Sequence, residues 1–129
     1  MTVSGLRILD DLAGEGEPVE RGSLYDLRLR LWLNRGEPVR WEQPWGSIDH
    51  ARLDDDGTTL VTRLRIDREN LVAGLFRGIE GMRIGGRRKL KISPHLAYGD
   101  RGIPGKIPPD AVIVAEIEIL AKVTTENNP

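Results

Sequence analysis

The chain has 129 residues, is 39% hydrophobic and carries a formal net charge of −1, which suits one soluble domain with a real core. Near-neutral charge gives no overall pull toward nucleic acid or an anionic membrane, and no stretch is long and apolar enough to span a bilayer. The absence of cysteine excludes disulfides, thiolate nucleophiles and sulfur-ligated metals.

The N-terminus, Met1-Thr2-Val3-Ser4-Gly5, has no basic-then-apolar export pattern, so a cytoplasmic location is expected. Leu6 and Ile8 predict a short first strand. Tyr25, Leu27, Leu29, Leu31 and Leu33 alternate with Asp26, Arg28, Arg30 and Trp32. That period of two predicts an antiparallel strand with one dry face and one wet face. Asn34-Arg35-Gly36 ends it in a turn. Leu60, Thr62, Leu64 and Ile66 alternate with Val61, Arg63, Arg65 and Asp67 in a second strand. Asp56-Gly57 just before it suits a tight hairpin, because glycine tolerates positive φ.

Leu71, Val72, Leu75 and Ile79 recur at helical spacing. They predict a helix between Asn70 and Gly78, stopped by Gly78 or Gly81. Leu90 and Ile92 alternate with Lys89 and Lys91 in a third strand. The last strand is predicted from Val112 to Leu120, with Ile113, Ala115, Ile117 and Ile119 inward, opposite Glu116 and Glu118. The fold class is α+β, a curved antiparallel sheet wrapped around one short helix. A single domain is expected over 1–123, with a polar tail at 124–129 that frays.

Ordinary catalytic constellations are missing. His95, in a Pro-His-Leu turn, and the isolated His50 do not make a metal site. Asp54-Asp55-Asp56-Gly57 lacks the spaced oxygen ligands and later glutamate of a calcium loop, so it reads as a polar turn. Arg83, Arg87, Arg88, Lys89 and Lys91 form a basic run that alternation places partly on a wet strand face, which is not a nucleic-acid signature. No metal or cofactor is implied. Pro104-Gly105 suits a type II turn, with Pro presetting φ and Gly permitting positive φ.

Two successive runs carry more information. The first is Gly81-Met82-Arg83-Ile84-Gly85-Gly86-Arg87-Arg88-Lys89-Leu90-Lys91-Ile92-Ser93-Pro94-His95-Leu96-Ala97-Tyr98-Gly99. The second is Gly102-Ile103-Pro104-Gly105-Lys106-Ile107-Pro108-Pro109-Asp110-Ala111. Together they resemble the C-terminal half of the FKBP-type peptidyl-prolyl isomerases. Gly5-Leu6-Arg7-Ile8 and Gly22 through Gly36 resemble the family's first strands. The middle, from Glu37 to about Leu60, is longer than the family's and reads as an insert over about 41–60.

The resemblance implies a half-open sheet around a short helix and a cleft that binds X-Pro segments. It implies that Tyr98 donates its hydroxyl to a bound carbonyl and that the backbone N–H of Val72 is the second donor. Leu71 and Val72 sit where the family has two aliphatics before the helix. Ile107 is an apolar wall, and Ile103 lies where histidine is frequent. Other positions depart from the family. Leu29 replaces a tyrosine, Val39 and Arg40 a Phe-Asp pair, and Thr62 a phenylalanine. Leu75 replaces a tryptophan and Ala115 a phenylalanine. The only phenylalanine in the chain is Phe76.

The implied activity is therefore weak isomerisation of X-Pro bonds, with a non-catalytic peptide-binding module as the alternative. Macrolide immunosuppressants are expected to bind weakly or not at all. Trp41 and Trp45, in the insert, are expected to fold over the cleft and supply the missing aromatic surface. The expected partners are proline-containing peptides or protein segments, with no nucleic acid and no membrane, and the expected state is a monomer.

Overall fold

The computed structural model describes residues 4–42 and 51–124. Among the described residues there are six strands: β1 (Leu6–Leu12), β2 (Leu24–Leu33), β3 (Arg52–Leu53), β4 (Thr59–Arg65), β5 (Arg87–Ile92) and β6 (Ile113–Lys122). One helix, α1 (Ala73–Gly78), and a 3₁₀ turn at Pro94–Leu96 complete the elements. The strands form one sheet in the order β1-β5-β6-β2-β4-β3, with every neighbouring pair antiparallel.

The period-two pattern sets the register. Leu27 lies opposite Thr62 and Ile119, and Leu29 opposite Leu60 and Ile117. Each of these side chains is at most 2% exposed. A one-residue slip would turn all of them outward, so burial holds the pairing. The inward row predicted for the last strand is borne out, since Ile113, Ala115, Ile117 and Ile119 are all buried. That strand runs two residues beyond the predicted Leu120.

The helix is shorter at its start than predicted. The Asp67 carboxylate accepts the backbone N–H groups of Glu69 and Asn70 at 3.1 Å and the Asn70 side-chain amide at 2.8 Å. The Leu71 N–H goes to the Asp67 carbonyl. A side-chain acceptor here offers the backbone an alternative to helix, and residues 67–71 form a turn. Helix begins only at Ala73, with Val72 extended at its N-cap (φ −62°, ψ 158°).

α1 seats directly on the inner face of the sheet. A Cβ at Gly74 would lie 2.3 Å from Ile92 Cγ2 and 3.0 Å from the Leu96 carbonyl oxygen. At the other end Arg88, the inward member of the basic run, donates to the Gly78 and Glu80 carbonyls at 2.8 and 2.7 Å. It also reaches the Asp11 carboxylate at 3.1 and 3.2 Å. A charged donor thus satisfies carbonyls at the helix end that have no intrahelical partner.

Asp54-Asp55-Asp56-Gly57 is a turn closing the β3–β4 hairpin, with the Gly57 N–H on the Asp54 carbonyl at 3.0 Å. Its carboxylates face their own turn. Asp54 accepts the Thr58 and Thr59 N–H groups at 2.8 and 3.1 Å, and Asp56 accepts the Thr58 hydroxyl at 2.7 Å. The Thr59 N–H, first among these donors, holds the Asp54 carboxyl down at about 2. Of the C-terminal tail only Thr124 is described, and Trp45 and His50 lie outside the described residues.

Candidate active site

The connection from β5 to β6, residues 93–112, is tied to itself by its own backbone. Ala97 and Gly99 donate to the Pro94 carbonyl at 2.9 and 2.8 Å, and Gly102 donates to the Tyr98 carbonyl at 3.0 Å. Ile103 and Ile107 form an antiparallel bridge. Between them the Lys106 N–H meets the Ile103 carbonyl at 2.9 Å, and Gly105 has φ of +78°. These are the features of the type II turn predicted at Pro104-Gly105.

This loop holds Tyr98 half-buried against the core. Its hydroxyl has no hydrogen-bond partner among the described residues. Burial pushes its pKa up to about 12, so it stays a protonated donor at neutral pH. The other tyrosine, Tyr25, is fully buried, and its hydroxyl accepts the Glu20 N–H at 2.8 Å. Of the two tyrosines, Tyr98 is thus the one whose hydroxyl has no protein partner among the described residues.

A second donor stands at the start of α1. The Val72 N–H has no partner among the described residues. The carbonyl of the same peptide unit, on Leu71, accepts a guanidinium hydrogen bond from Arg68. That charged donor fixes the plane of the Leu71–Val72 peptide and polarises its N–H, because hydrogen bonds in series strengthen one another. Sequence reasoning missed Arg68. It lies in a charged turn with no periodicity to mark it.

The remaining predicted residues divide by depth. Leu29, Val39, Leu71, Leu75, Ile107 and Ala115 belong to the buried core, each at most 3% exposed. Thr62 is buried with them. Val72, Ile103 and Tyr98 pack on that core from its rim, joined by Trp41, Phe76, Leu96 and Ala97. Arg40 is exposed. Trp41 is clasped in place. Its N–H donates to the Gly57 carbonyl at 2.9 Å, and Lys106 bridges to the Arg40 carbonyl and the Glu42 carboxylate at 3.0 and 3.2 Å.

Two hydrogen-bond donors, the Tyr98 hydroxyl and the Val72 N–H, thus belong to residues packed at the edge of the apolar core. Such a surface can grip an extended carbonyl-bearing segment and exclude water around it. It requires neither nucleophile nor proton relay to act on an amide torsion.

Comparison with known proteins shows the family and the fold. The family model described as FKBP-type peptidyl-prolyl cis-trans isomerase matches residues 46–120, and the chain belongs to that family. A 39 kDa FK506-binding nuclear protein of Drosophila melanogaster is 29% identical over 128 residues, covering 91% of this chain and 29% of the relative. The peptidyl-prolyl cis-trans isomerase FPR2 of Saccharomyces cerevisiae is 41% identical over 64 residues, half of this chain and 46% of that protein. Among solved structures, AtFKBP13 superposes with a TM-score of 0.71 at 30% identity, covering 93% of this chain and 94% of that one. The chain spans less than a third of the length of the Drosophila relative.

Proposed function

We propose that this chain catalyses cis–trans isomerisation of X-Pro peptide bonds in protein segments. The barrier to amide rotation is about 18–20 kcal/mol, because resonance gives the C–N bond double-bond character. Unaided X-Pro exchange takes tens to hundreds of seconds. A catalyst lowers the barrier by binding the twisted amide more tightly than either planar form. The apolar rim of Val72, Ile103 and Trp41 disfavours the charge-separated planar amide. Tyr98 and the Val72 N–H hold the flanking carbonyls, so the segment is presented in one orientation.

The observation that carries this reading is the Tyr98 hydroxyl. It is half-buried, kept protonated by that burial, and unpartnered among the described residues. A purely structural tyrosine in this environment would hydrogen-bond the protein, as Tyr25 does. Trp41 is packed on the same core and is the aromatic surface this reading assigns to the substrate.

A second reading is a peptide-binding module without catalysis. It is favoured by the depth of Leu29, Leu75 and Ala115, which fill the core where the family resemblance implies large rings. NMR exchange spectroscopy on a short X-Pro peptide, with wild type and Tyr98→Phe, separates the two. Faster exchange with wild type and slower exchange with the variant supports catalysis at Tyr98. Peptide binding without accelerated exchange, across several X-Pro sequences, favours the module.

A further inference from the structure

The outer face of the sheet, away from α1, is strongly basic although the chain as a whole is not. Strand register identifies the side chains that share it. β5 contributes Arg87, Lys89 and Lys91, and β2 contributes Arg28, Arg30 and Trp32. Arg63 and Arg65 extend the face along β4. The acids on it are fewer: Glu116 and Glu118 on β6, Asp26 on β2, and Asp10 on β1. With a net charge of −1 for the whole chain, the remaining surface is correspondingly acidic. The near-neutral total therefore conceals a polarised molecule.

Much of the acidic charge on this face is already engaged. Glu118 pairs with Arg28 at 2.6 Å and Asp26 with Arg63 at 2.9 Å. Arg87, Lys89 and Lys91 have no ion-pair partner among the described residues. Two cations flank the Trp32 ring, with Lys89 Nζ 4.8 Å and Arg30 Cζ 5.6 Å from its centroid. The outcome is an aromatic plate flanked by two cations, with Glu116 across the strands from both and Arg30 also held by the Thr59 hydroxyl at 2.9 Å. It lies at the end of the sheet where Lys91 and Val114 sit beside the β5–β6 loop that carries Tyr98.

We infer that this face docks a short acidic segment of a partner protein. Charge complementarity selects an anionic occupant. Glu116 and Glu118, in the central strand, select among anions. Their carboxylates repel a continuous polyanion such as a nucleic-acid strand or an anionic bilayer, while a protein segment can place its carboxylates on Lys89, Lys91 and Arg87 and a neutral or basic residue between. Arg87, Lys89 and Lys91 are alternate residues of one strand, so a parallel or antiparallel run of five extended residues at about 3.4 Å each sets three carboxylates over them.

The test is a titration of ¹⁵N-labelled protein with a Glu-Gly-Glu-Gly-Glu peptide, alongside an oligothymidylate of equal charge and phosphatidylserine vesicles. The peptide should shift the Lys89 and Lys91 amides and the Trp32 indole N–H. The shifts should vanish at about 1 M salt, where the Debye length is about 3 Å. Arg87→Gln with Lys91→Glu should weaken peptide binding at least tenfold while leaving the melting temperature and X-Pro exchange of a neutral peptide unchanged. The milder Lys91→Gln should weaken it by about twofold. Shifts confined to other surfaces, or affinity that survives charge reversal, would overturn the inference. Tighter binding of the oligonucleotide or the vesicle than of the peptide would overturn the choice of a protein partner.

Discussion

Tyr98 and Val72 matter for what they leave unpaired. Replacing Tyr98 with Phe removes one donor and little volume. A neutral hydrogen bond is worth about 1 kcal/mol net, so kcat/KM for an X-Pro peptide should fall about fivefold while the thermal melt stays in place. The raised pKa of Tyr98 adds a pH signature. A folded-state value of about 12 against about 10 unfolded gives stability that is fully present below pH 10. It is lost as pH rises toward 12, because ionising the phenol in its half-buried site is unfavourable. Urea melts from pH 8 to 11.5 should be flat at first and then decline, and Tyr98→Phe should lessen that decline. Arg68 acts through the Leu71 carbonyl and is a positioning residue. Arg68→Ala should move the Val72 amide proton upfield and raise KM more than it lowers kcat, with Arg68→Lys partly restoring both.

At the scale of elements, the question is how six helical residues stay in place. Isolated helices of this length are unstable in water, so α1 depends on contacts beyond itself. Its glycine side lies so close to β5 that Gly74 has no room for a methyl group. Alanine normally stabilises a helix by about 1 kcal/mol relative to glycine. Here Gly74→Ala should do the reverse. The new Cβ presses on Ile92 and on the Leu96 carbonyl, and Leu96 lies two residues before Tyr98 in the same loop. Chemical denaturation should show lost stability, and X-Pro exchange should slow in the same variant. Arg88 anchors the opposite end. Arg88→Met would leave the Gly78 and Glu80 carbonyls without their donor and should cost about 2–4 kcal/mol. A drop of less than 1 kcal/mol in urea would show that water replaces the guanidinium.

For the whole molecule, the two faces of the sheet have different tasks. The inner face holds the core, α1 and the Tyr98 rim, and the outer face holds the basic strip around Trp32. The substitutions that remove large rings from the inner face leave Leu29, Leu75 and Ala115 packed at most 3% exposed. A macrolide that needs an aromatic-walled cavity would have to displace this core, so calorimetric titration should give no sub-micromolar affinity. Adding a ring back should be costly for the same reason. Leu75→Trp inserts extra volume into a closed core and should destabilise the fold by about 1–3 kcal/mol.

Strand identity was legible in the residues because a half-buried sheet demands alternation, and Tyr25 to Leu31 and Ile113 to Ile119 alternate without a break. The turn at Pro104-Gly105 was legible because its backbone angles admit few residue types. The Tyr98 loop was legible through its glycines, prolines and tyrosine in fixed order. The start of α1 was not, because the Asp67 carboxylate competes for N–H groups that helical spacing alone assigns to the helix. Alternation with Leu90 and Ile92 points Arg88 inward, but a linear pattern could not name the partners that satisfy it there. The bulge between Ile8 and Asp10 and the pairing with β1 bring Asp11 opposite Arg88, and α1 supplies its carbonyl partners. The polarity of the sheet likewise needed register, since neighbours across strands are distant in sequence. Alternation thus determined the strands, while the depth of the pocket residues, the free donors at Tyr98 and Val72, and the basic outer face were decided only when long-range pairing placed them together.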